Sequence, residues 1–399
     1  MGIAGPSQAP DVRGRTMATR SFSNRQHVII AVMLSLVVLL GSVGSAFAQE
    51  QGNRAPFRPD NGGPADTTPA PGAPENQEVP VPSLAANAFF VSPTGDDANP
   101  GTIDRPWRTL VHAIPQLRAG QTLYFRGGEY PGDVILRGSV LSKGTPDARI
   151  TLTAYPGENP VIRGLVQLSN SEYYTWDNVD VKWPEGRVDP SQHMVRFWAG
   201  TGLEVRNSEF SEARSYAALL IYGGMTNFRI ANNYIRDTYA SNQLSQDHLI
   251  YIGSGVNGIV ERNLLVNAPN GRGVKIGHPE GGLGLPAGIT VRFNTMVNNG
   301  SGNTAVSYDA YDNTFYGNIM VGAGENYTNI HNWNLSGGNN RAFANVGWGS
   351  TKVLKDGIVD DGGNLYVDPQ LDANFVPRNS QLYNAQGQLM YGHLATATQ

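Results

Sequence analysis

The 399-residue chain contains no cysteine. No disulfide can support its fold, although this says nothing against export. Positive charge is scarce. Residues 1–48 hold four Arg and one Asp of the chain's 29 basic and 33 acidic residues, which leaves 25 and 32 in the remainder, net −7. That balance argues against nucleic acid as a partner. The apolar run Val28 to Leu40 falls short of the roughly 20 residues a membrane span needs. It follows Arg20 and Arg25 and leads to Ala46-Phe47-Ala48, the pattern of a secretory signal peptide with an Ala-x-Ala cleavage site. Residues 1–48 are therefore read as a leader, starting at Met1 or Met17, and as a membrane anchor only if left uncleaved. The Gly-rich stretch 281–288 lacks a Gly-Lys-Ser/Thr ending and opens no helix, so it is not a phosphate loop.

What the chain has in quantity is glycine, 48 residues, together with 25 prolines. Eight of the prolines fall in 49–86, too polar a stretch to bury a core and read as a disordered spacer. Beyond it a pattern repeats. Val205-Arg-Asn-Ser-Glu-Phe, Ile230-Ala-Asn-Asn-Tyr-Ile, Val260-Glu-Arg-Asn-Leu-Leu, Val291-Arg-Phe-Asn-Thr-Met, Phe315-Tyr-Gly-Asn-Ile-Met and Ala342-Phe-Ala-Asn-Val-Gly align, with first positions 25, 30, 31, 24 and 27 residues apart. Repeats of this length signal a solenoid, whose units bury their apolar faces against one another. Alternating apolar residues without a helical period make it an all-β parallel β-helix, with rungs stacked at about 4.8 Å. Asn233, Asn263, Asn294, Asn318 and Asn345 share one position in the repeat. Asn tolerates left-handed backbone angles and bonds its own turn, so these residues are expected at corners, bonded as a ladder. Their role is structural.

The domain is expected over 87–391, with a tail over 392–399. A short helix carrying Leu110, Ile114 and Leu117, limited by Pro115, would cap the first coil. Residues 364–385 would close the other end. The run Phe90-Val-Ser-Pro-Thr-Gly-Asp-Asp97, Asn99-Pro-Gly-Thr102, Pro106-Trp-Arg-Thr-Leu110 and Gly120-Gln-Thr-Leu-Tyr-Phe-Arg-Gly-Gly-Glu-Tyr130 resembles the opening of secreted right-handed parallel β-helix proteins. Among these are polysaccharide lyases of family nine and of the alginate lyase and chondroitinase B type. The resemblance covers about residues 88–385. It implies a right-handed helix and suggests an acidic polysaccharide as partner.

Each coil carries a second strand ahead of the Asn strand. Val195, Leu220, Ile250, Val274 and Val306 are expected inward, as are Tyr222, Ile252 and Ile276. Alternation then turns Arg196, Ile221, Tyr251, Lys275 and Ser307 outward. Extra residues near 236–247 and 277–288 flank this outward patch, and loops on a rigid scaffold tend to carry function. The candidate site therefore comprises Asp247, His248, Tyr251, Arg272 and Lys275, with His278 and Glu280 on the second loop. Arg196 and Tyr308 would contact substrate beside Asp247, His278 and Glu280. Trp198, Tyr308, Tyr311 and Trp333 are either surface aromatics or platforms for sugar rings.

Cleaving a uronic acid polymer by β-elimination requires three acts. The sugar carboxylate is neutralised, a base removes the proton beside it, and an acid assists the leaving oxygen. Arg272 or a bound Ca²⁺ would hold the carboxylate. Lys275 would be the base, and Tyr251 or His248 the acid. In family nine lyases a Lys acts as base beside a Ca²⁺ held by carboxylates, and Asn270-Gly-Arg-Gly-Val-Lys-Ile-Gly277 is similar to the segment around that Lys. Asp247, Glu280 and Asp309 are the carboxylates within reach of such a metal, which takes six to eight oxygens. Asp309 and Asp312 are equally readable as turn residues. The expectation is a secreted, monomeric polysaccharide lyase-like protein. A glycoside hydrolase using Asp247 with Asp309, an epimerase, and a non-catalytic glycan- or wall-binding protein are the alternatives.

Overall fold

A computed structural model describes residues 84–189, 191–238, 246–277, 284–308, 310–334 and 337–396. The leader, and the spacer up to residue 83, lie outside them. So do most of both inserted loops, and with them His278, Glu280 and Asp309.

The described chain winds into three parallel sheets of eleven, eight and ten strands, and each full coil adds one strand to each sheet. One coil, for example, contributes His193–Trp198, Glu204–Arg206 and Glu209–Ser211. The next lays Ala217–Tyr222, Arg229–Ala231 and Tyr234–Arg236 alongside. This is a parallel β-helix. Its inward columns follow the repeat. Val205, Ile230, Val260, Val291, Phe315 and Ala342 stand in file on the eleven-stranded sheet, all fully buried. Each large apolar side chain so placed is worth about 1.5–3 kcal/mol over its exposed state.

The asparagines form one ladder. Nδ2 of Asn233 donates to Oδ1 of Asn263, and the same bond recurs from Asn263 to Asn294, Asn294 to Asn318, Asn318 to Asn345 and Asn345 to Asn364, at 2.9–3.1 Å. Asn364 was not foreseen in the file. The left-handed residue is not the ladder asparagine but the one before it: Asn232, Arg262, Phe293, Gly317 and Ala344 all have positive φ. The turn thus needs the left-handed angle one position earlier. That leaves the following Asn free to point inward and bond along the axis.

The helix Leu110–Gln116 buries Leu110, Ala113 and Ile114 in the main core. Thr109 caps it, and Asp97 accepts bonds from the Thr109 hydroxyl (2.7 Å) and from the backbone N–H groups of Arg108 and Thr109. At the other end the chain differs from expectation. Leu382, Leu389 and Tyr391 pack on Ile319 and Val346, forming a cluster apart from the main core. Residues 392–395, read as tail, are held there: the N–H of Gly392 bonds the Gly317 carbonyl, and Arg262 bonds that of Ala395.

Candidate active site

The eight-stranded sheet carries the candidate residues. Its strands are Val134–Leu136, Val166–Ser169, His193–Trp198, Ala217–Tyr222, His248–Ile252, Val274–Ile276, Thr304–Ser307 and Ile330–Trp333. The outward row reads Gln167, Arg196, Leu220, Tyr251, Lys275, Ala305 and His331. Arg196, Tyr251 and Lys275 are as expected. Leu220 and Ala305 replace Ile221 and Ser307, while Val306 pairs with Ile276 and Tyr222 with Trp198. The run Ala217–Tyr222 is apolar throughout, so nothing in it marks the phase of alternation.

Strict alternation also fails at the strand starts. Met194 and Val195 both enter the main core, as do Leu249 and Ile250. His193 and Arg196 therefore share the outer face, and so do His248 and Tyr251. This local irregularity brings the site together. The Lys275 ammonium lies 4.5 Å from the Tyr251 ring centre and 5.8 Å from that of Tyr216. The His248 ring meets the edges of Tyr251 and Tyr216 at 5.6 and 5.7 Å. His193 stacks over Tyr251 at 6.2 Å. Arg272, Lys275, Gln246, Ser307, Tyr308 and Trp333 line a cleft of about 180 Å³. Trp333 is 45% exposed at its rim, placed to meet a sugar ring.

His248 has no exposed surface, and neither ring nitrogen makes a hydrogen bond among the described residues. Burial, then the charges of Lys275, Arg272 and His193, hold it neutral far below the usual histidine range. Burial followed by Arg196 and Lys275 pushes His193 down to about 3. Burial, Arg272 and Lys355 bring His331 to about 4. These imidazoles are neutral at neutral pH and cannot offset a bound anion, but they do not oppose one either.

The candidate face gathers Arg137, Arg196, Arg272 and Lys275. On the other faces Arg126, Arg163, Arg206, Arg229, Arg292 and Arg341 are each clamped by a carboxylate, with Glu261 holding both Arg229 and Arg292. Among the described residues Arg137 and Arg196 form no ion pair. Asp247 is wholly buried at the start of the His248 strand, and the adjacent coil carries Arg272 and Lys275. No group of three His, Cys, Asp or Glu able to hold a metal occurs among the described residues. Of the three carboxylates expected to hold calcium, only Asp247 falls among the described residues; Glu280 and Asp309 lie outside them.

Tyr216, His193 and His331 were missed by sequence reasoning. For His193 a signal existed. Gln192-His-Met-Val195 and Asp247-His-Leu-Ile250 share a His followed by two apolar residues, two coils apart in one column.

A family model described as the Pel9A-like, right handed beta helix region matches residues 89–336. Pectate lyase PEL9 of Emericella nidulans is 39% identical over 125 residues, 26% of this chain and 30% of that protein. The uncharacterized protein YwoF of Bacillus subtilis is 33% identical over 149 residues, 37% of this chain and 28% of that protein. The chain thus spans under a third of the length of these curated relatives. Among solved structures, pectate lyase Pel9A superposes with a TM-score of 0.45 at 13% identity, covering 78% of this chain and 96% of that one. A rhamnogalacturonan lyase gives 0.42 at 15%, covering 78% and 97%.

Proposed function

Because the chain belongs to the family of Pel9A-like right-handed β-helix regions, we propose that it acts on an acidic polysaccharide, by lyase-type β-elimination at a uronic acid residue. The observation that carries this reading is the group of cations on one sheet face: Arg196 and Lys275 in the outward row, Arg137 in the cleft beside Arg196, and Arg272 in the cleft beside Lys275. Such a face suits a polymer bearing carboxylates.

In this reading Arg272 neutralises the uronate, which acidifies the neighbouring C–H. Lys275 takes the proton in its neutral form, as a catalytic Lys must. Tyr251, whose ring lies against the Lys275 ammonium, is the proposed acid for the leaving oxygen. His248 has no surface with which to touch substrate, so it acts by packing on Tyr251. A calcium ion, if one binds through the inserted loops, would supply further neutralisation of the carboxylate. The leader over 1–48 would carry the protein out of the cell, where such polymers occur.

The test is to incubate purified chain with pectate, alginate and glycosaminoglycans, with added calcium and with chelator. Ultraviolet absorbance of an unsaturated uronide is expected on one of them. General-base catalysis is worth about 10²–10⁴-fold, so Lys275→Ala should lose that much. No absorbance on any substrate, or full activity in Lys275→Ala, would overturn the assignment.

A further inference from the structure

The ten-stranded sheet ends in two exposed aromatic rings. One of its outward rows passes from Arg236 through Val266, Val297 and Val321 to Trp348. The row thus changes from charged to apolar to aromatic as it nears the last coil. Tyr366 follows on the final strand, Leu365–Tyr366, where its register partner is Gly347. The Trp348 and Tyr366 ring centres lie 5.2 Å apart, with their planes inclined at 48°. Trp348 is 38% exposed and Tyr366 48%.

The C-terminal segment covers the neighbours of this pair and leaves the pair bare. Leu382, Leu389 and Tyr391 close over Ile319 and Val346, and Val321, Leu365 and Val367 pack against that cluster. Trp348 and Tyr366 alternate with these residues along the chain but stay outside it. Both are nevertheless held in place. The Tyr366 hydroxyl donates to the Ser350 carbonyl, and the Ser350 hydroxyl donates to Asn329 Oδ1 at 2.6 Å. The Trp348 carbonyl accepts from the Gly322 N–H at 2.9 Å. Two large rings that are fixed and yet left in water mark a surface suited to a ligand.

Charge selects the kind of ligand. Residues 346–372 carry five Asp against two Lys. One of the two, Lys352, is paired with Asp356 at 2.6 Å. This end of the chain therefore disfavours a polyanion, where the eight-stranded face gathers cations. Rings in such a setting suit the apolar faces of uncharged sugars.

We propose that Trp348 and Tyr366 form a second glycan-binding site, separate from the groove, for an uncharged polysaccharide. The site lies on a different sheet from Lys275 and does not depend on the chemistry proposed there. It would hold the protein on a neutral polymer while the eight-stranded face engages an acidic one.

The experiment is calorimetry of the purified chain with cellohexaose, xylohexaose and mannohexaose. At least one should bind, and Trp348→Leu and Tyr366→Ala should each weaken it at least tenfold. Trp348→Phe, which keeps a ring, should retain most of the affinity. Leucine keeps an apolar cover, so a purely structural role for Trp348 would leave the affinity of the Trp348→Leu chain unchanged. The carboxymethyl derivative of the oligomer that binds should bind several-fold more weakly than its parent. Absence of binding to all three, or affinity that survives both changes, overturns the site. Equal or tighter binding of the carboxymethyl derivative overturns its preference for an uncharged chain. A dimer seen by sedimentation and dissolved by Trp348→Leu would instead assign the rings to a second copy of this chain. Any uronide cleavage should be equal in wild type and Trp348→Leu, so this site and the proposed function fail separately.

Discussion

Replacing Asn263 by Ala should cost the fold about 4 kcal/mol, as two buried donors at about 1–3 kcal/mol each. Asn263 is wholly buried in mid-ladder. Its Oδ1 accepts from the backbone N–H and from Nδ2 of Asn233, both at 3.0 Å. Its Nδ2 donates to the Ile230 carbonyl and to Asn294 Oδ1, both at 2.9 Å. Alanine removes all four bonds and strands the two Asn233 donors away from water. Domains unfold with about 2.1 cal/mol/K per residue, so for about 300 residues the loss lowers Tm by roughly 6 °C. Thermal melts followed by circular dichroism read this directly. Asn364→Ala is the comparison, since Asn364 also accepts two bonds but is partly exposed, so water can replace it. Asn263→Asp tests the mechanism. It keeps the shape but sets a carboxylate oxygen against two acceptor oxygens, and should cost more than alanine until acid protonates it. A Tm for Asn263→Ala within about 1.5 °C of wild type, or a loss no greater than that of Asn364→Ala, would refute the reasoning.

Stability should fall on mild acidification. Burial lowers His393 to about 3 and, as the largest of several causes, His193 to about 3, His331 to about 4 and His248 well below its usual value. The unfolded chain takes up these protons below about pH 6.5 and the folded chain does not, so stability is full above that pH and lost beneath it, at up to ~1.4 kcal/mol per pH unit per histidine. His393→Gln, remote from the groove, should flatten the Tm–pH slope between about 6.5 and 4.5 by roughly a quarter; an unchanged slope would count against the assignment. Gly271→Ala should abolish activity, because a methyl there presses on the backbone carbonyls of Gln246 and Asp247, and backbone cannot yield as a side chain does. The coil carrying Arg272 and Lys275 would be lifted from the His248 strand. Gly284→Ala, which meets nothing, is the control; equal activity in the two would show that the close approach is unimportant.

The asparagine file was legible because one residue type recurs at one position, and hydrogen bonding along the axis demands that type. The left-handed position was not, because Asn232, Arg262, Phe293, Gly317 and Ala344 share no chemistry. The turn imposes its angle on whatever residue stands there. Lys275, Tyr251 and Arg196 were legible as polar residues in apolar strands. Leu220 and Ala305 were misplaced because an all-apolar run carries no phase. Tyr216 was missed because its part depends on two coils stacking beside it.

Sequence alone determined that this chain stacks as a solenoid, since burial of the repeated apolar columns leaves each coil no other partner than the next. Only the tertiary structure decided where charge goes unmatched. Arg229 and Arg292 look no different in sequence from Arg137 and Arg196. The first two meet Glu261 across neighbouring rungs; the second two face an open cleft. Pairing depends on which coils lie next to which, and a cation one rung from a carboxylate is neutralised where the same cation beside glutamine and histidine is not.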